Sequence, residues 1–349
     1  MEGYARKARA AITYNGKDIS ASLSPYLKSI TVTDNISGQA DDLQIVLEDR
    51  AGVWRNAWIP DIGATLDVTI ICENWPELPG TVYPLGIFEI DEIASSGQPS
   101  TVEIKAVSIP FDNCLRGVDR TRSWDKAELK TIANDIATGA GLALEYGGDY
   151  NPIVDRAEQT EESDLAFLYK LLKDHGLALK IHANKIVIFA EEEYEAAEPV
   201  LSIHYPDATN SENDIFLITD VKSYRFRKKL RDIYKDCHLK YQNGKEKTNI
   251  EATFADPAKI TGKTLEIREQ VKSQDEAERI VRKRLREKNC EEVTGTMTLL
   301  GNPLLLASNT VTVLGFGAYD GRYIITKANH SIGSGYNTEI EIRRCLNGY

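Results

Sequence analysis

Residues Thr160–Phe189 read TEESDLAFLYKLLKDHGLALKIHANKIVIF, and the stretch holds a complete helix–hairpin unit. Ser163 is placed to cap a helix, its hydroxyl accepting from a first-turn N–H, and Asp164 behind it complements the positive end of the helix dipole. Leu165, Leu168, Leu171 and Leu172 recur at helical spacing, which predicts one buried stripe. Gly176 follows His175 and supplies the left-handed residue that stops the helix. Leu177, Leu179 and Ile181 then alternate with Ala178, Lys180 and His182, the period of a half-buried strand. Ala183-Asn184-Lys185 turns the chain, and Ile186 to Phe189 returns as a second strand. Helix and hairpin each carry an apolar face that a neighbouring element must cover.

Upstream, residues 1–111 read as β-rich. Asn15-Gly16 between Ala11–Tyr14 and Lys17–Ile19 is a type I′ hairpin signal. Leu27–Asn35, with Ile30 and Val32, alternates apolar and polar residues, as do Leu43–Leu47 and Leu66–Ile70. An irregular loop with Trp54, Trp58 and Pro60 separates the last two. Leu85–Ile93 and Val102–Val107 are further strands, divided by Gly97-Gln98-Pro99. Short strands at this spacing predict a sandwich or barrel. Between 112 and 195 the pattern becomes mixed α/β. Leu129, Ile132, Ala133, Ile136 and Ala137 form a helical apolar face after Ser123-Trp124-Asp125, with Asp125 and Glu128 expected as a capping box and Gly139 and Gly141 as the stop. Asp155–Glu162 is expected to be a polar connector, and Glu191, Glu192, Glu193 and Glu195 a solvated acidic link.

Downstream, 196–272 returns to β. Val221–Phe226 leads into a basic cluster, Arg225, Arg227, Lys228, Lys229 and Arg231, read as solvated or protein-facing. Ile233–Tyr241 and Glu246–Phe254 flank Asn243-Gly244, a second hairpin signal. Ser273–Asn289 is the strongest helix, with Ser273 and Glu276 as a capping box and Ala277, Ile280, Val281 and Leu285 on one face. Arg279, Arg282, Lys283, Arg284, Arg286 and Lys288 predict a basic outer face on a helix packed against a sheet. Strands follow at Gly295–Leu300, Thr310–Leu314, Gly321–Asn329 and Tyr336–Arg343.

At 349 residues the chain has length for two or three domains, and 42% apolar with 27% charged residues is ordinary for a soluble protein. No apolar run approaches the roughly 20 residues of a membrane span, and the first residues lack a signal peptide's apolar core. A net charge of −11 argues against phosphate-backbone binding as the main business. Cys72, Cys114, Cys237, Cys290 and Cys345 are far apart and without a CxxC pair, which predicts buried reduced thiols in a cytosolic setting.

The sequence offers no site for chemistry. His175, His182, His204, His238 and His330 lie in separate blocks without metal-ligand spacing, and His330 reads as a hydrogen-bonded structural residue. Gly315, Gly317 and Gly321 are turn glycines between strands, not a phosphate cradle opening a helix. Glu89, Asp91 and Glu92 read as solvated carboxylates at a strand end, not an acid/base pair. No catalytic, cofactor-binding or metal-ligating residue is therefore assigned, no cofactor is expected, and an enzyme is not expected.

Several blocks, in order, resemble the phage late control D family and the hub part of type VI secretion spike proteins. In the central stretch the matching residues are Ser163, Asp164, Leu165, Ala166, Phe167, Leu168, Leu171, Leu172 and Gly176. Leu85–Phe111 and the Ser123-Trp124 before a helix are similar to the family's first half. Near the end, Ser273, Asp275, Glu276, Ala277, Gly295, Leu299, Gly301, Pro303, Asp320, Gly321, His330, Gly335, Tyr336 and Thr338 follow its pattern. Ser308-Asn309 departs from it, where an Ala-Gly turn is usual.

The resemblance implies an α+β, mainly β chain with two similar antiparallel β-barrel domains of the tail-tube kind and α/β insertions, closing as a ring-shaped homotrimer. Residues 1–112 would be the first barrel, completed by strands in 196–215; 113–195 the α/β insert; and 196–349 the second barrel, with helix 273–289. It further implies a structural baseplate or tail hub of a phage tail or contractile injection system, joining a sixfold tail tube to a threefold central spike. The implied partners are a tail tube protein, a central spike protein, a tape-measure protein and baseplate wedge components, with no membrane and with DNA only as passing cargo. The place is the particle baseplate, after assembly in the bacterial cytoplasm. An acidic chain would keep passing DNA off the lumen wall by like-charge repulsion. Two other readings stay open: a hub-associated cell-wall hydrolase, and a nucleic-acid-binding module built on the basic helix.

Overall fold

A computed structural model describes residues 5–75, 78, 80–108, 114–182, 184–205, 217–218, 221–243 and 248–349. The expected turn residues Ala183 and Gly244, together with Glu246 and Phe111, lie outside the described residues. The chain is mainly β and divides into two compact units. One comprises 1–191, 298–308 and 326–340; the other comprises 192–297, 309–325 and 341–349.

The first unit opens with β1 (Lys7–Tyr14) and β2 (Lys17–Asp18), whose turn residues Asn15 and Gly16 take φ of 46° and 79°, as a type I′ turn requires. Then come α1 (Ser20–Leu23), β3 (Leu27–Asn35), β4 (Asp42–Glu48), β5 (Thr65–Glu73), β6 (Val82–Ser96) and β7 (Thr101–Val107). They pair antiparallel in the order β3-β4-β7-β6-β5-β1-β2. Alternation does what period two demands: Ile30, Val32, Leu43, Ile45, Leu47, Val68, Ile70, Phe88 and Ile104 are buried in one core. Removing such side chains from water is the main stabilising term, about 1.5–3 kcal/mol each.

Next are α2 (Cys114–Gly117), β8 (Asp119–Glu128), α3 (Leu129–Gly139), β9 (Ala143–Tyr146), β10 (Ile153–Ser163), α4 (Asp164–Asp174), β11 (Ala178–His182) and β12 (Lys185–Phe189). This segment has a core of its own, from Leu115 through Leu129, Ile132, Phe167 and Leu172 to Ile188. Ser163 caps α4 by accepting from the Ala166 N–H at 3.3 Å. At the other end Leu177 N–H donates to Leu172 O and Gly176 N–H to Lys173 O, with Gly176 at φ 76°, a Schellman stop. The hairpin β11–β12 is antiparallel, and β9 adds to β12 in parallel.

Two expectations fail in this segment and a third is adjusted. Asp125 and Glu128 are not a capping box: Asp125 sits in β8 opposite Arg156, and Glu128 makes no side-chain cap at the start of α3. The polar connector Asp155–Glu162 is instead most of β10, which pairs antiparallel with β8. Its buried members are Ala157 and Gln159, so the pattern looks polar although the strand is real. In α4 the buried stripe is Phe167, Leu168 and Leu172, while Leu165 and Leu171 are only half-buried. Phe167 takes the central place because Trp124 of β8 stacks on it, 5.3 Å between centroids and 13° between planes.

The second unit begins with α5 (Glu191–Ala196), β13 (Leu201–His204), β14 (Leu217–Ile218) and β15 (Val221–Lys228). It continues with β16 (Tyr234–Asn243), β17 (Thr248–Ala255), β18 (Lys263–Ile267) and α6 (Gln274–Asn289). The remaining strands are β19 (Val293–Leu300), β20 (Thr310–Leu314), β21 (Gly321–Ile332) and β22 (Tyr336–Arg344). Helix α6 lays Ala277, Val281 and Leu285 on Cys237, Leu239 and Ala252 of the β17–β16–β18 sheet. Its cap is Ser273, which accepts from the Glu276 N–H at 3.1 Å, while Glu276 reaches back to the Lys272 N–H at 2.7 Å. Strand β13 lies between β14 and β20 and is parallel to both, and β20 pairs antiparallel with Gly321–Ile324 of β21.

Within the first unit, Ile332 to Lys327 of β21 pair antiparallel with Ile30 to Asn35 of β3. Strand β15 pairs β19, β19 pairs β22, and β22 pairs β21. Among the described residues no ladder closes into a ring. The acidic run at 191–195 is helix α5 and not a solvated link, because Glu195 is buried among arginines. Cys72 and Cys237 are buried thiols as expected, whereas Cys290 and Cys345 are half-buried.

Candidate interaction surfaces

Two exposed apolar surfaces stand out, and each is built from residues far apart in sequence. The first lies along β15. Alternation puts Lys222, Tyr224, Phe226 and Lys228 on one face of this strand and Arg225 and Arg227 on the other. Tyr224 and Phe226 meet Tyr205, Phe316 and Tyr319. Phe226 stacks on Tyr319 at 4.9 Å, and Tyr205, Tyr224 and Phe316 are mutually edge-on at 5.0 to 6.0 Å. These rings and Gly315 line a cleft of about 390 Å³. The loop under it is held in place: Phe316 N–H donates to Asp320 at 2.6 Å, Tyr323 hydroxyl donates to Tyr319 O at 2.6 Å, and Arg344 donates to Ala318 O and Asp320 O. Tyr224 is 48% exposed. The basic cluster 225–231, which by its sequence has little aromatic interleaving suited to base stacking, thus borders Tyr224 and Phe226, on the other face of the same strand from Arg225 and Arg227.

The second surface is the loop before β5. Trp58, Ile59 and Ile62 are 47%, 53% and 59% exposed, yet the backbone that carries them is pinned. Trp58 N–H donates to Val53 O at 2.8 Å, Asp61 N–H to the Tyr14 hydroxyl at 3.1 Å, and Gly63 N–H to Ile90 O at 2.9 Å. Trp58 also packs edge-on against Tyr26 and Trp54, at 5.8 and 5.5 Å. Exposed apolar groups on an ordered loop mark an interaction site more often than chance exposure.

The buried polar groups form structural networks. Glu195 receives a forked pair from Arg286, at 2.6 and 3.3 Å, and a second bond from Arg343. Asp164 is held by Arg122 and by Gln159 at 2.8 Å. Asp34 binds Lys180 and accepts from Ala307 N–H at 2.7 Å; burial pushes its carboxyl up against the pull of Lys180. His330 is 1% exposed. Its Nε2 donates to Leu305 O at 3.1 Å, so Nδ1 accepts from the Tyr336 hydroxyl at 2.8 Å. Burial lowers its pKa to about 4.

The other histidines are scattered: His175 beside the Tyr150 hydroxyl, His238 beside Glu266, His182 at 3.9 Å from Asp41, His204 buried in β13. Asp91 and Glu92 are exposed in mid-strand on β6, where Lys105 pairs with Glu92 at 3.1 Å. Among the described residues no three His, Cys, Asp or Glu side chains are grouped to hold a metal ion. No described helix is long and apolar enough to cross a membrane. The cations of α6 are largely engaged: Arg284 bonds Glu269 at 2.7 Å and Glu287 at 3.0 Å, and Arg286 is buried.

The family model described as phage tail baseplate hub (GPD) matches residues 106–336. The probable baseplate hub protein of Escherichia phage 186 is 30% identical over 177 residues, 50% of this chain and 43% of the relative, so the chain matches less than half of that relative's length. The fold is shared with a tail protein from Neisseria meningitidis MC58, TM-score 0.70 at 12% identity, over 97% of this chain and 96% of that one. It is shared more loosely with the Escherichia coli c3393 protein, a component of the type VI secretion system, TM-score 0.56 at 13% identity, over 99% of this chain and 79% of that one.

Proposed function

This chain belongs to the phage tail baseplate hub family, and from that premise we propose that it is the structural hub of a tail baseplate in a phage or contractile injection system. The family match across most of the chain carries the reading, and the shared tail-protein fold supports it. Three copies form a ring that joins a sixfold tail tube to a threefold central spike. The physical reason is symmetry: a chain with two similar β domains, repeated three times, offers six near-equivalent surfaces to the tube and three to the spike. The two β domains are centred on 1–112 and 196–349, with 113–195 inserted between them and with 298–308 and 326–340 folded into the first. The separate core around Leu129, Phe167 and Leu172 supports treating the insert as a folding unit. Tube, spike, tape-measure and wedge proteins are its partners, DNA passes as cargo, and its place is the particle baseplate.

The role is scaffolding and not catalysis. The nucleic-acid reading of α6 loses support because Arg284 and Arg286 are engaged by carboxylates. Mass photometry of the purified chain, alone and with tube and spike proteins, tests the proposal. A trimer is expected, and a stable monomer in the presence of both partners overturns it. Release of peptidoglycan fragments by the purified chain would favour the hydrolase reading instead.

A further inference from the structure

We propose that the Trp58–Ile62 loop of one copy seats on the aromatic cleft along β15 of a second copy, so that copies join head to tail. The inference rests on the homotrimer reading above and adds the surfaces that would make it. A head-to-tail contact uses two different patches on each chain and closes into a ring when the rotation permits.

The two patches are complementary in shape and chemistry. The loop is a knob: Trp58, Ile59 and Ile62 project into solvent from a backbone already fixed by its own hydrogen bonds, so docking costs little further ordering. A large aromatic with aliphatic neighbours is the usual anchor of a tight interface. The cleft is a socket of about 390 Å³ walled by rings.

Charge agrees with shape. The knob runs into the outer face of β5 and β6, where Asp67 and Asp91 are exposed and Thr65 lies opposite Glu89. The cleft shares its strand face with Lys222 and with Lys228, which also lies 3.8 Å from Glu292, and Arg225 and Arg227 are exposed on the other face. On a chain of net charge −11, a cationic strand of this density is complementary to another copy's acidic surface, over and above the pair that Lys228 makes with Glu292.

The test places the photo-crosslinker p-benzoylphenylalanine at Ile59 in the full chain and mixes ¹⁵N-labelled with unlabelled copies before irradiation. Mass spectrometry is expected to find crosslinks between isotopically different copies, joining position 59 to peptides containing Tyr224 or Phe316. Crosslinks confined to one copy, or to other surfaces, overturn the proposal. In a second arm, Lys222→Glu with Lys228→Glu, and separately Asp67→Lys with Asp91→Lys, weaken the trimer about tenfold or more, and the four changes combined restore it. A trimer untouched by every variant removes this contact and leaves the homotrimer standing. A wild-type chain that stays monomeric with tube and spike present removes both.

Discussion

Gly301 lies against the ring of Tyr336 so closely that a Cβ added there would fall 2.1 Å from the ring Cγ. Gly301 N–H donates to Tyr336 O at 2.9 Å, and the Tyr336 hydroxyl in turn bonds His330 at 2.8 Å. The ring cannot retreat without giving up that bond, since Tyr336 is 6% exposed. The glycine is therefore a packing requirement of the core. Gly301→Ala is expected to cost about 2–3 kcal/mol, the upper range for overpacking a core, read as a lowered denaturation midpoint. A neutral effect would mean that the ring has room to move.

His330 makes stability depend on pH in a defined window. Its folded pKa lies near 4, below the ordinary value of 6.5, because burial opposes the charged form. As pH falls through 6.5 the unfolded chain takes up a proton that the fold refuses until about pH 4. The fold therefore loses on the order of 3 kcal/mol across that window, and nothing more from this group below it. His330→Gln lowers stability at neutral pH but flattens the pH 4–6.5 limb relative to wild type. Parallel limbs in the two proteins would show that other groups set the slope.

Helices α4 and α6 each start on a serine that binds the third amide of its first turn, Ser163 to Ala166 and Ser273 to Glu276. Replacing either by alanine leaves one first-turn N–H without its partner. Each substitution is expected to cost about 1 kcal/mol, and the two costs should add because the sites share no partner. Urea titration of the single and double variants checks both points.

These caps were legible because a cap is local: acceptor, donor and helix lie within four residues. The same holds for the Asn15-Gly16 turn, the Gly176 stop and the alternation of Ile30, Val32, Leu43, Ile45 and Leu47. What escaped was non-local. Strand β10 hides its identity because its buried positions are Ala157 and Gln159, and its partner β8 lies across an intervening helix. The cleft gathers Tyr205, Tyr224, Phe226, Phe316 and Tyr319 from three separate stretches. One signal was available, the alternation Tyr224-Arg225-Phe226-Arg227, in which a strand shows one face of rings and one of cations. The acidic run at 191–195 could not disclose that one member is buried, because the arginines that bury it come from 286 and 343.

That Glu195 cluster supplies the sharpest mutational test. One carboxylate, 4% exposed, serves Arg286 of α6, Arg343 of β22 and the Leu346 N–H at 3.1 Å. The half-exposed Glu192 pairs with the Nε of Arg286 at 3.2 Å, so two carboxylates face two guanidiniums, and Glu195 is the buried carboxylate that joins both arginines. Removing Glu195 alone is the worst case, because two largely buried guanidiniums then sit close together with only the half-exposed Glu192, beside Arg286, to offset their repulsion. Glu195→Gln is expected to cost about 3–5 kcal/mol. Arg343→Met in that background relieves the repulsion, so the double variant should be more stable than Glu195→Gln alone. The coupling read from the cycle measures how strongly the two arginines depend on their shared acid. If the double variant were simply the sum of the two losses, Glu195 and Arg343 would be independent and the buried cluster would not act as a unit.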